Sequence, residues 1–196
     1  VTGTHGAARH MGNAMVIDNT QPEAAIGAGT LNRKTLIDRV DVASYLRSTS
    51  DIAGLMVFDH QGRAINLLTS LGWEARVATA EGRLDFSKGE LSDLARETAD
   101  YLAFVDEASL PGPVRGVSEF TNTFSGTGPR DRTGRSLREL DLQTRLFKYR
   151  CSYMIYSPVF DALPQEARAA VLARLRATIT DRDTIEILDD TKAGWR

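Results

Sequence analysis

The sequence predicts an all-α protein, a single helical domain over residues 36–196 behind a long irregular N-terminal arm over 1–35. Three observations point there. Apolar residues recur every three or four positions in several long stretches, the spacing of one helix face. Those stretches open on capping residues and close on proline or glycine. No stretch alternates with the period of two that a half-buried strand requires.

The elements follow in order. Residues 1–35 hold five glycines, the turn-prone Asp18-Asn19 pair and Pro22, and no clean period. A helix-like pattern starts near Leu36. After the capping cluster Ser48-Thr-Ser-Asp51 comes the longest helical signal, Ile52 to about Ala78. Its stripe is Ala53, Met56, Val57, Ala64, Leu67 and Leu71. Gly54, Gly62 and Gly72 interrupt it and mark a kink or a close approach. A further helix is predicted over 87–107, with Leu91, Leu94, Ala95, Thr98, Leu102 and Val105 on its inner face, and Pro111-Gly-Pro113 stops it. A short amphipathic piece carries Phe120 and Phe124 before the break at Gly126-Thr-Gly-Pro129. Another segment runs from Leu137 to Tyr156. The last long helix begins at Pro164 and presents Ala167, Val171, Leu175 and Ile179 inward. Asp181 caps a final short helix.

Composition excludes several classes. The net charge of −2 gives no reason to expect nucleic acid as a partner. No apolar run approaches the roughly 18–20 residues that cross a bilayer, and no charged-then-apolar leader is present. Cys151 is the one cysteine, so an intrachain disulfide, a cysteine-based zinc site and a C-x-x-C-H haem attachment are all impossible within this chain. Its aromatic and aliphatic neighbours fit a small buried hydrophobe. There is no G-x-S-x-G elbow, no H-E-x-x-H and no Walker sequence, and Gly126-x-Gly128 is too short for a phosphate loop.

Candidate chemistry rests on histidines and arginines. His60 sits in the middle of the long helical stripe, so its ring points inward and needs a partner. A core histidine, a haem or metal ligand and a general acid–base group are the open readings, with Asp59, Gln61 and Asn66 nearby in sequence. His5 and His10 are five residues apart and share a site only if the arm is non-helical, which Gly3, Gly6 and Gly12 permit. Met11 adds a thioether able to ligate haem iron. Alternatively both histidines are solvated. Arg130, Arg132 and Arg135 belong to a basic stretch reaching Arg150, suited to a carboxylate, a phosphate or haem propionates, or else to local salt bridges.

Three stretches carry a resemblance. They are Val1-Thr-Gly-Thr-His-Gly with Arg9-His-Met-Gly-Asn13, then Ser50-Asp-Ile-Ala-Gly-Leu-Met-Val57 with His60-Gln61, and a third that is longer. The third runs from Gly128-Pro-Arg-Asp131 through Gly134-Arg-Ser-Leu137 to Tyr149-Arg-Cys-Ser-Tyr-Met-Ile-Tyr-Ser157 and Phe160-Asp-Ala-Leu-Pro164. The chain resembles the C-terminal part of an uncharacterised family of large exported bacterial proteins that carry a cytochrome c-type C-x-x-C-H motif upstream. The resemblance implies a fragment of a longer, periplasmic or otherwise exported protein, working in electron transfer or redox chemistry. Its haem would be held by the missing N-terminal region, with a redox partner protein beyond. It singles out His5, His10, Met11 and His60 as ligand candidates. On the haem reading, the segment of Arg130, Arg132 and Arg135 faces the propionates or a partner. In that family a second histidine often follows the His60-Gln61 pair, near the position of Ile65, and its absence here weakens a site that needs both imidazoles. Two other classes remain open: a hydrolase-type enzyme with a divalent metal on His5, His10 and His60, and a non-catalytic structural or interaction module.

Overall fold

In the computed structural model, which describes residues 1–5, 18–21, 24 and 32–195, the chain is α-rich. Six α-helices occur among the described residues: α1 Ile52–Ala80, α2 Glu90–Leu102, α3 Phe120–Ser125, α4 Pro158–Asp161, α5 Gln165–Thr178 and α6 Arg182–Thr191. One two-stranded antiparallel ladder joins β1 Thr4–His5 to β2 Val114–Arg115, in the register Thr4 with Arg115 and His5 with Val114. No described helix is long and apolar enough to cross a membrane. Contacts divide the chain into two compact units, and the expected boundary at residue 35 falls inside the first of them.

The first unit comprises residues 1–58, 108–126 and 140–146. Ile52, Ala53, Val114 and Leu142 form its buried core, with Met56, Leu110 and Phe120 packed against them. Asp51 organises the unit. Its Oδ1 accepts the Ala53 and Gly54 amides at 2.9 and 3.3 Å, which caps α1 as the sequence predicts. Its Oδ2 accepts the Val117 and Ser118 amides and the Ser118 hydroxyl, at 2.8 to 2.9 Å. Burial pushes the carboxyl pKa up, but these donors outweigh it and hold the group charged. Gly3 is required where it stands. Its φ is +143°, and an added Cβ would lie 2.7 Å from the Arg115 carbonyl oxygen and closer still to the Ile52 side chain.

The second unit comprises residues 59–107, 127–139 and 147–196. α2 packs on α5 through Ala95, Thr98, Ala99 and Leu102 on one side and Ala167, Val171, Leu172 and Leu175 on the other. The small residues of α2 let the helices approach, while the Arg174 guanidinium clasps Asp100 at 2.8 and 3.1 Å along the edge. Phe147, Phe160, Leu68, Leu71, Ile155 and Leu188 fill the interior. α6 is capped by Asp181, which accepts the Thr184 amide at 2.8 Å, as the sequence predicts.

The helix-like pattern that starts near Leu36 gives no helix. Residues 36–48 form turns, and of the segment Leu137 to Tyr156 only Tyr153–Tyr156 is helical, as a single 3-10 turn. Asp141 keeps the middle of that segment out of a helix. Its carboxylate takes the amides of Gln143, Thr144 and Arg145 and the Thr144 hydroxyl, a local turn that competes with helix formation.

Candidate functional site

His60 lies on α1 within the second unit and is 6% exposed. The inward position follows from the helix period. Its surroundings come from segments far away in sequence. The Tyr101 ring stacks on the imidazole at 5.2 Å with an interplanar angle of 18°. Phe104 tilts against it at 5.2 Å and Phe147 meets it edge-on at 5.1 Å. Nε2 is 2.7 Å from the Ser152 hydroxyl oxygen, itself fully buried.

Ser152 Oγ accepts the Met154 amide at 3.1 Å, capping the 3-10 turn, and it shares a further hydrogen bond with His60 Nε2. Burial in the aromatic shell favours the neutral imidazole, lowering the pKa to about 4, while the Asp59 charge pulls the other way. Two outer bonds tighten the shell. Tyr101 donates to the His60 carbonyl at 3.2 Å, and Tyr153 donates to Gln61 Oε1 at 3.0 Å. Arg63 lies over the Tyr101 ring at 5.1 Å and Arg138 over Tyr153 at 4.8 Å.

This is the environment of a core histidine. Ligation of iron through Nε2 would break the bond to Ser152, at a ring edge that is enclosed. A dyad with Ser152 as nucleophile would need substrate to reach a hydroxyl that is completely enclosed. Of the three sequence readings of His60, the geometry favours the structural one. Sequence reasoning missed Tyr101, Phe104, Phe147, Ser152 and Tyr153 as its partners. The clustering of aromatics around Cys151 was the one available signal. Cys151 is itself fully buried, which pushes its thiol pKa far up and leaves it inert.

The arginine segment is committed within the second unit. Arg132 makes a bidentate pair with Asp190, at 2.9 and 2.6 Å. Arg135 contacts three carboxylates, Asp131 at 2.7 Å, Asp183 at 2.8 Å and Glu186 at 2.8 Å. Arg130 donates to the Gly134 carbonyl at 2.5 Å, closing the same turn. Asp131 is the pivot, since its carboxylate also takes the amides of Thr133 and Arg135 and the Thr133 hydroxyl. Desolvation raises its pKa, but the Arg135 guanidinium, with these donors, brings it down to about 2. The structure thus shows Arg132 and Arg135 in local salt bridges, the second of the two sequence readings of this stretch.

His5 contrasts with all of this. It lies in the first unit on β1, its amide donating to Asn32 Oδ1 at 2.8 Å. Its Nδ1 is buried and has no hydrogen-bond partner among the described residues. An imidazole nitrogen in that state calls for a partner, which an ordered water, an ion or a ligand would each supply. His10 and Met11 lie outside the described residues. Among the described residues no three histidine, cysteine, aspartate or glutamate side chains are grouped as a metal set.

Comparison with known proteins finds no matching family model, no matching curated protein and no matching solved structure.

Proposed function

We propose that this chain is a non-catalytic helical module of an exported, cytochrome-like redox protein, and that it contacts haem through its N-terminal arm at His5. The carrying observation is the difference between two histidines. His60 has its Nε2 on Ser152 and its ring between aromatics, whereas the buried Nδ1 of His5 has no partner among the described residues. The committed arginines Arg132 and Arg135 support a structural role for the rest of the chain. When bound, haem would supply the electron-transfer chemistry. The chain itself would hold the imidazole in place by the Asn32 bond and the β1–β2 ladder.

Haemin titration tests this by absorbance. The wild-type protein is expected to shift the Soret band, His5→Ala to remove most of the shift, and His60→Ala to leave it intact while lowering the melting temperature. Loss of the shift in a folded His60→Ala variant overturns the assignment to His5. No shift in any variant overturns the haem contact altogether.

A further inference from the structure

Two clefts on the second unit meet along one line. The first, about 390 Å³, runs beside Gln61 and Ile65 of α1 and against Tyr153 and Met154. The second, about 350 Å³, continues beside Leu68, Gly72 and Trp73. Pro158 and Val159 at the start of α4 belong to both. The combined groove follows α1 from Gln61 to Arg76, roughly 22 Å at about 1.5 Å per residue. That length suits about four turns of a second helix.

Its chemistry is uneven in a useful way. The walls are mostly apolar, and Trp73 stands at the rim 66% exposed, where a partner could cover it. No aspartate or glutamate lines either cleft, in a chain with 26 of them and a net charge of −2. The charged lining residues are two arginines, Arg138 in the first cleft and Arg76 in the second.

Both guanidinium groups are fixed. Arg76 bridges the walls by donating to the Gly72 and Ala162 carbonyls, each at 2.7 Å. Arg138 donates to Thr127 Oγ1 at 2.6 Å and lies over the Tyr153 ring. Its stem crosses Gly128, where φ is +89° and an added Cβ would come within 2.9 Å of Arg138 Cδ.

The geometry points to a docking groove for an acidic amphipathic helix of a partner protein, its apolar face on Ile65, Trp73 and Val159 and its carboxylates toward Arg138 and Arg76. Apolar anchors would supply affinity, and the paired arginines would select sign and direction. The groove lies wholly within the second unit and does not depend on the haem contact at His5.

Tryptophan fluorescence reads the proposal directly. The chain has two tryptophans, and Trp195 is buried at 5% exposure, so Trp195→Phe leaves Trp73 as the reporter. The probes are two synthetic 15-residue helical peptides with identical leucine faces, one flanked by glutamates and the other by lysines. The glutamate peptide is expected to give a saturable blue shift that the lysine peptide does not. Arg138→Glu should weaken binding at least about tenfold, and Val159→Glu should block it. Arg138→Gln keeps the stem over Gly128 and should give an intermediate loss, with circular dichroism confirming the fold. Equal binding of both peptides, or no binding of either, overturns the proposal. So does a blue shift on concentrating the protein alone, which would assign the groove to a second copy.

Discussion

His60 and Asp131 are both buried ionisable groups with lowered pKa values, yet the second unit accommodates them in opposite ways. His60 is enclosed by rings, and burial keeps it neutral at a pKa of about 4. Asp131 is met by a guanidinium, two amides and a hydroxyl, and these keep it charged at about 2. The same direction of shift therefore means exclusion of charge in one place and its full compensation in the other. A histidine treated by exclusion is a packing element. A carboxylate treated by compensation is an anchor, and removing it orphans every group that relied on it.

The largest expected effect follows from that asymmetry. Asp131→Ala leaves the Thr133 and Arg135 amides without their acceptor and removes one of three carboxylates around Arg135. Urea denaturation should show a loss of about 2–4 kcal/mol. If Asp131→Ala costs less than His60→Ala, the anchor reading of Asp131 is wrong. For His60→Ala the expected loss is about 1–3 kcal/mol, from the Ser152 bond and the space left among the rings.

Acid sharpens the contrast, because the two groups lose stability in different windows. His60 is neutral in the folded state down to about pH 4, whereas its unfolded counterpart takes a proton near 6.5. The unfolded chain binds more protons between those values, so the His60 contribution is intact above 6.5 and is lost as pH falls toward 4. The shift corresponds to about 3 kcal/mol over that window. Asp131 behaves as a depressed carboxylate. Its contribution is present above about 3.8 and disappears as pH falls toward 2. Unfolding free energy measured from pH 7 to 4.5 should therefore decline in the wild type and stay flatter in His60→Phe. An unchanged slope in His60→Phe would mean that another group governs this range.

How much of this was legible depends on the range over which each interaction acts. α1, α2, α5 and α6 were readable because their stripes and caps are local, as Asp51 and Asp181 show. The inward direction of His60 was readable for the same reason. Its hydrogen-bond partner was not, since Ser152 is 92 residues away. The path of Leu137 to Tyr156 was not legible, because it is set by the Asp141 turn and by Leu142 at φ +57°. In the arginine stretch both readings were written in the same residues. Only the carboxylates of α6, Asp183, Glu186 and Asp190, decided between them.

The smallest expected effect concerns one of those pairs and bounds the comparison from the other side. Arg132 and Asp190 have bidentate geometry, but the arginine side chain is 84% exposed. Water screens such a pair, and ordering two long side chains offsets much of its attraction. Asp131 sits beside it in sequence with its carboxylate enclosed. Arg132→Gln should accordingly leave the urea midpoint unchanged within error, both at low salt and at about 0.5 M salt. A clear loss at low salt that vanishes at high salt would show that the surface pair belongs to the same compensated network as Asp131. The line between anchor and surface would then have to be drawn farther out.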